Sequence, residues 1–155
     1  MSGPVRKSPR MSFFDYASSH YYFVTICTHE KKCIFGYTDN LSRYGQIAAD
    51  SITRISAHYS SVAVDKFVVM PNHIHMILII GCDPDKKENP SLDQVVGAYK
   101  SGVSREIHKI GYTFPVWQRS FHDHVIRNQK DYERIWAYID TNPMRWETDC
   151  FYYGE

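Results

Sequence analysis

Runs of apolar residues along the chain predict four β-strands. Residues 21–27 are dense in aromatic and β-branched side chains, which favour a central strand buried on both faces. Val62–Met70 and His73–Ile80 are two further apolar runs, and the Pro-Asn pair between them is a turn signal, so together they predict a β-hairpin. Residues 116–126 predict a fourth, less regular strand.

Three stretches with apolar residues at three- and four-residue spacings predict amphipathic helices. The first covers residues 42–59, with Ser42 as its N-cap, and the second covers residues 92–107. The third covers residues 130–142 and is ended by Pro143. The order β-α-β-β-α-β-α predicts an α+β fold. It is a ferredoxin-like βαββαβ antiparallel sheet with two helices on one face and one added C-terminal helix.

The composition is that of a folded globular protein. Of its 155 residues, 43% are hydrophobic and 23% are charged, which excludes a disordered chain, a collagen-like fibre and a coiled coil. This length predicts one domain, residues 1–155, with residues 1–20 as a basic N-terminal arm. The net charge of +1 leaves the partner open, because a local basic surface can bind a polyanion on a protein that is balanced overall.

The sequence also predicts a cytoplasmic location. No apolar run reaches the roughly 18 residues that a membrane-spanning helix needs. Ser12 and Asp15 interrupt the region where a signal peptide needs an apolar stretch. The four cysteines have neither the CxxC spacing of a zinc ribbon nor the density of a secreted disulfide scaffold, so we expect free thiols in a reducing cytosol.

The sharpest chemical signal is the segment MPNHIHMILI at residues 70–79. His73 and His75 are two positions apart on a predicted strand, so both side chains project from the same face. Two adjacent imidazoles can hold one metal ion, whereas a single histidine on an apolar strand is more often a hydrogen-bonded core residue, and the pair leaves both interpretations open. His122 and His124 have the same spacing beside Asp123, and there a structural or surface role is favoured.

The third helix offers residues that could complete a metal site. Tyr138 and Asn142 are four positions apart and therefore share a helix face. Two histidines rarely suffice to hold a catalytic metal, so a further ligand must come from another element. Taken alone, Tyr138 is one of twelve tyrosines and would be a packing residue, and Asn142 would simply end the helix. The neighbouring apolar stripe is predicted to pack on the core: Tyr132, Ile135, Trp136 and Ile139.

Four separated segments carry a family resemblance. They are MPNHIHMILI, GAYKSGVSREI, WQRSFHDHVIRN and AYIDTNPMRW. Their order and spacing resemble those of the REP-associated tyrosine transposases, a branch of the single-tyrosine HUH transposases. The resemblance runs over residues 6–146, and agreement of four motifs is much more specific than a lone HxH pair. The family's fold is similar to the ferredoxin-like order predicted above.

The resemblance implies a site and an activity. His73 and His75 match the family's metal-binding His-hydrophobic-His motif, Tyr138 matches its nucleophilic tyrosine, and Asn142 matches the polar residue that supplies a third metal ligand. The implied activity is single-stranded DNA cleavage and strand transfer through a 5′-phosphotyrosine intermediate. The implied partner is single-stranded or hairpin DNA, such as REP-like repeats or element ends, and the implied assembly is a monomer or a homodimer. Where many relatives have an aromatic residue, this chain has His122.

The chemistry explains why these residue types are needed. A divalent ion, Mg²⁺ or Mn²⁺, held by the two imidazoles and the amide would neutralise a phosphate oxygen and help the leaving hydroxyl depart. A tyrosine phenol has an ordinary pKa of about 10, so it needs a nearby cation to attack as a phenolate at neutral pH. The ligand types alone do not fix which metal is used.

Two other functions compete with this one. The chain could be a non-cleaving protein that binds hairpin nucleic acid and derives from such a transposase. A histidine-triad nucleotide hydrolase is disfavoured, because Ile77 stands where a further histidine would be needed. Phosphate contacts are predicted for six residues, with a solvated helix face as the competing interpretation for the first two: Lys100, Ser101, Arg105, Arg6, Lys7 and Arg10.

Overall fold

The computed structural model describes residues 20–148, so the predicted N-terminal arm, with Arg6, Lys7 and Arg10, lies outside the described residues. The prediction of a single domain over residues 1–155 stays a prediction. The strands are β1 (His20–Cys27), β2 (Gly36–Tyr37), β3 (Asn40–Leu41), β4 (Val62–Met70), β5 (His73–Ile80) and β6 (His122–Ile126). The α-helices are α1 (Arg43–Thr53), α2 (Ile55–His58), α3 (Leu92–Lys109) and α4 (Gln129–Thr141).

Four strands form one antiparallel sheet in the order β4-β5-β1-β6. The first and third long strands along the chain, β1 and β5, lie in the centre and pair over their full length. The hairpin of β4 and β5 turns at Pro71 and Asn72, as the sequence predicts. This is the ferredoxin-like arrangement, and the predicted α+β class is confirmed. Among residues 20–148, no helix combines the length and the apolar composition needed to cross a bilayer.

Helices cover both faces of the sheet, and β5 shows this most clearly because all eight of its residues are buried. On one face, Ile74 and Met76 pack with α1 and α3, and the Tyr99 hydroxyl of α3 donates a hydrogen bond to the Ala48 carbonyl of α1 at 2.8 Å. On the other face, Ile77 and Ile79 pack against α4. Because side chains alternate along a strand, His73 and His75 lie on the α4 face.

The first predicted helix is shorter than expected. Ser42 is its N-cap and accepts a hydrogen bond from the Gly45 amide, as predicted. The helix does not continue to residue 59. It ends at Thr53, and the short α2 begins after Arg54. The apolar periodicity runs across this break, since Ile52 and Ile55 are both buried in the same core, and periodicity alone therefore overestimates the helix.

The predicted strand over residues 116–126 is interrupted. Trp117 forms an isolated antiparallel bridge with Thr28, whereas β6 begins only at His122, which pairs with Thr25. The residues between them bulge from the edge of the sheet, and Ser120 adopts a positive φ of 65°. The strand signal is correct at both ends, but it does not reveal the bulge.

The third predicted helix ends close to its expected position. Asn128 caps α4 through its side-chain oxygen, which accepts a hydrogen bond from the Asp131 amide at 2.8 Å. The α-helix stops at Thr141, and the chain then continues as a 3₁₀-helix over Asn142–Thr148. This continuation through Pro143 brings residues after the predicted helix end back to the sheet.

Candidate active site

The two histidines of β5 form the floor of the candidate site. His73 and His75 are 0% and 1% exposed, and their ring centroids are 4.6 Å apart. Thr25 on β1 lies opposite His75 in the sheet, and its hydroxyl lies 2.8 Å from His75 Nδ1. Asn72 in the hairpin turn holds its side-chain oxygen 2.7 Å from His73 Nδ1. Both Nδ1 atoms are therefore fixed by a neighbour, and Nε2 is the nitrogen of each ring that is placed to bind a metal.

Tyr138 reaches this floor from α4. Its side chain is half-buried, and its ring centroid lies 5.3 Å from that of His75 and 6.1 Å from that of Phe23. The guanidinium carbon of Arg145 lies 4.9 Å from the centre of the same ring. Arg145 is held there by hydrogen bonds to the Tyr138 carbonyl and the Thr141 hydroxyl. The fold thus places a phenol beside an imidazole and under a permanent cation.

Asn142 lies in the sequence between two residues that contact the histidines. One turn before it, Tyr138 packs on His75, and four residues after it, Trp146 stacks on His73 with ring centroids 6.1 Å apart. Asn142 is itself 0% exposed, and neither its amide oxygen nor its amide nitrogen makes a hydrogen bond with the described residues. A buried amide without hydrogen bonds is costly, so this side chain is one that a ligand would satisfy.

This donor set fits a divalent metal ion. Within residues 20–148 no group of three or more His, Cys, Asp or Glu side chains could hold a metal. The candidate set here is instead two imidazoles and an amide, and amide oxygens are accepted ligands of hard divalent ions. The buried amide of Asn142, with hydrogen-bonding capacity to spare, is the observation that favours the fit.

Comparison with known proteins finds relatives of this chain. No family model matches the chain. An uncharacterized protein of Haemophilus influenzae is 34% identical over 167 residues, covering 95% of this chain and 93% of that protein, and the chain belongs to the same family as that protein. A second H. influenzae protein, named "Putative REP-associated tyrosine transposase", is 23% identical over 141 residues, or 84% of this chain and 74% of that protein.

Solved structures show the same fold. A REP-associated tyrosine transposase bound to a REP hairpin matches with a TM-score of 0.63 and 22% identity, over 87% of this chain and 74% of that chain. The chain therefore has the fold of that transposase. A structure described as a "putative transposase" from Deinococcus radiodurans matches with a TM-score of 0.56 and 14% identity, over 84% of this chain and 96% of that chain. The resemblance stated from the four sequence motifs is confirmed.

The structure gives Lys100 an internal role that the sequence did not suggest. Its ammonium donates hydrogen bonds of 2.8 Å to the carbonyls of Gln118 and Ser120, in the bulge before β6. Trp117 donates its indole N–H to the Lys100 carbonyl, which ties the same segment to α3. Burial lowers the pKa of Lys100, although the nearby Cys27 opposes this shift. The predicted phosphate contact of Lys100 stays a prediction.

We expect Lys100→Met to destabilise the protein by about 1–3 kcal/mol, because two bulge carbonyls lose a charged donor. Chemical denaturation would measure this loss. The control is Lys109→Met, since Lys109 is exposed and only pairs with Glu106 on the surface, so its change should stay within about 0.5 kcal/mol. Unchanged stability together with weaker DNA binding would instead support the phosphate contact.

Ser101 and Arg105 are not brought together with the histidines. Both are exposed on α3, and they line a cavity of about 470 Å³ between α3 and the α1–α2 region, with Arg54 and His58 on its other side. That cavity lies on the face of the sheet opposite α4. A DNA strand at Tyr138 would have to pass around the sheet edge to reach these two residues.

Sequence reasoning missed a second set of polar residues beside Tyr138. His124, Asp131 and Arg134 are joined by hydrogen bonds across the turn between β6 and α4. The sequence alone favours a structural or surface role for His124. In the structure His124 pairs with Phe23 and lies on the α4 face of the sheet. The sequence signal for this face is alternation, because His124 is two residues from the buried Ile126.

Proposed function

We propose that this protein is a metal-dependent, single-strand DNA endonuclease and strand transferase that acts through a phosphotyrosine at Tyr138. The observation that carries the proposal is the contact of Tyr138 with the buried pair His73 and His75, with the buried Asn142 amide one helical turn after Tyr138. Packing of apolar side chains does not require this combination. It combines a nucleophile with a set of metal ligands.

Tyr138 supplies the nucleophile in the proposed reaction. Its phenolic oxygen attacks the phosphorus of one phosphodiester, and the bond to the 3′-oxygen of the preceding nucleotide breaks. The phenol loses its proton and the leaving 3′-oxygen gains one, so the products are a 5′-phosphotyrosine and a free 3′-hydroxyl. A second 3′-hydroxyl can attack the phosphotyrosine and release Tyr138, so the strand is rejoined without an external energy source.

The neighbours of Tyr138 prepare it for this attack. His73, His75 and Asn142 would hold a Mg²⁺ or Mn²⁺ ion, which supplies charge neutralisation at a phosphate oxygen when it is bound. Phe23 packs edge-on against the phenol at 6.1 Å and restricts the ring. Arg145 adds a fixed positive charge 4.9 Å from the ring centre, where it would attract a phosphate.

Hairpin DNA with a single-stranded flank is the proposed substrate. The support is that one structural neighbour with this fold is a transposase bound to a REP hairpin. Repeats of this kind, or the ends of a mobile element, would be processed on the bacterial chromosome in the cytoplasm. The proposal holds for a monomer and for a homodimer, because all four residues of the site lie in one chain.

The substrate proposal predicts a preference that can be measured. A pool of DNA hairpins with randomised single-stranded flanks should bind at least about tenfold more tightly than a blunt duplex of equal length, because unpaired bases can stack on protein side chains. Fluorescence anisotropy at one fixed salt concentration would measure both affinities, and both should weaken as salt rises. Equal affinities for hairpin and duplex would refute the preference.

The same hairpin pool tests cleavage. With Mg²⁺ or Mn²⁺ present, the protein should form an adduct with DNA that survives denaturing electrophoresis, and sequencing the trapped strands would give the cleavage site. Tight hairpin binding without any adduct would favour the non-cleaving alternative.

A further inference from the structure

A cavity of about 370 Å³ opens beside Tyr138, towards the edge of the sheet at β6. Phe23 and Ile135 form its apolar wall, and His124 and Arg134 form its polar wall. Tyr138 belongs both to this cavity and to the candidate active site. The volume falls within the range of small-ligand sites, about 300–1,000 Å³.

A carboxylate fixes the polar wall. Asp131 Oδ2 lies 2.7 Å from His124 Nε2, and Asp131 Oδ1 accepts a hydrogen bond from the Arg134 guanidinium. Asp131 is itself held in the first turn of α4, where its amide donates to the Asn128 cap. A carboxylate at this end of a helix is favoured by the helix dipole, which offsets part of its negative charge. His124 and Arg134 are therefore held in position although they come from different elements.

Stability alone is a weak explanation for the contacts of Asp131 with His124 and Arg134. Ion pairs with an exposed partner contribute little to stability, and the Arg134 side chain is 72% exposed, whereas that of Asp131 is 14% exposed. Arg134 uses its Nη2 for Asp131, and a guanidinium has five N–H donors arranged for planar anions. Tyr138 lies between two arginines on α4 and its extension, since Arg134 is four residues before it and Arg145 is seven residues after it. Two guanidinium groups therefore lie near the proposed nucleophile.

We propose that this cavity is a subsite for the nucleotide that adjoins the scissile phosphate. The nucleotide's own phosphate contacts Arg134 and the edge of His124, and its base packs against Phe23 and Ile135. A ligand that is anionic at one side and flat and apolar at the other matches a wall of this mixed character. The inference rests on the proposed function, which supplies the single DNA strand.

Photochemical crosslinking tests the subsite on the unaltered protein. The probe is a single-stranded oligo(dT) of about 12 nucleotides, a length in the range of single-strand binding sites, with 5-iododeoxyuridine at one position. After irradiation, mass spectrometry should find the crosslink on peptides that contain Phe23 or Tyr138. Crosslinks confined to α1 and α3 would overturn the subsite.

Binding of the same probe to variants gives a second measurement. We expect Arg134→Ala and His124→Ala each to weaken binding about tenfold, since each loses a phosphate contact, with Arg134→Lys intermediate. The matched control is Lys130→Ala, because Lys130 is exposed on the same helix and does not line the cavity. Circular dichroism would show which variants fold. If Arg134→Ala does not fold, the crosslink on the unaltered protein decides whether the subsite exists.

The two proposals can fail separately. Equal binding of oligo(dT) to Arg134→Ala and to the unaltered protein overturns the subsite, while adduct formation with the hairpin pool still supports the transferase. Lack of an adduct overturns the transferase, while a crosslink at Phe23 still supports a nucleotide subsite. Failure of the unaltered protein to bind oligo(dT) at all overturns the subsite as well.

Discussion

Replacing Tyr138 with phenylalanine should reduce formation of the covalent protein–DNA adduct by about a thousandfold or more, because the attacking oxygen is removed. Phenylalanine retains the ring that packs against Phe23 and His75, so the variant should fold and bind hairpin DNA normally. Denaturing electrophoresis with a labelled hairpin would measure the adduct, and anisotropy would measure binding.

Tyr132→Phe is the matched control on the same helix. Tyr132 is 2% exposed, and its hydroxyl donates a hydrogen bond to Asp65 at the neighbouring strand β4. This hydroxyl is engaged away from the histidines, so its loss should lower stability slightly and leave the adduct rate near normal. A normal rate in Tyr138→Phe with a lost rate in Tyr132→Phe would show that the nucleophile is misassigned.

Much of the fold follows from local sequence signals. The order of strands and helices, the Ser42 cap and the Pro71-Asn72 turn were predicted because each depends on residues that are close in sequence. The faces of β5 were also predictable, since alternation places His73 and His75 together once the strand is known. The four-residue spacing likewise predicts that Tyr138 and Asn142, the C-cap of α4, share one face of the helix.

Other features depend on contacts between residues that are distant in sequence, and no local sequence signal predicts them. The break after Thr53 lies inside a stretch whose apolar pattern is continuous, and the bulge before β6 interrupts a segment that the sequence predicts as one less regular strand. The bulge is held by Lys100, and a lysine on a helix face gives no local sign that it will donate to carbonyls 18 and 20 residues away. The contact of Thr25 with His75 spans 50 residues, so the residue that orients this imidazole could not be named in advance.

The proposed metal site gives the second prediction with a large expected effect. Cleavage should vanish in a chelator and return with added Mn²⁺ or Mg²⁺, while hairpin binding changes little. His73→Ala and His75→Ala should each reduce cleavage about a hundredfold or more, because each removes an imidazole ligand. Asn142→Ala should have a smaller effect, since water replaces an amide oxygen more readily than an imidazole fixed on a strand. Activity that survives both the chelator and the double histidine substitution would leave the histidines as core residues.

A core role for the histidines also predicts some loss, because both are buried and their truncation leaves cavities. Thr25→Val separates the two explanations. Valine has nearly the volume of threonine but cannot hydrogen-bond His75 Nδ1, which lies 2.8 Å from the Thr25 hydroxyl. If His75 binds a metal, losing this orienting contact should weaken metal activation about 10–100-fold, seen as a higher Mn²⁺ concentration for half-maximal cleavage. If His75 only fills the core, Thr25→Val should lower stability and leave the Mn²⁺ dependence unchanged.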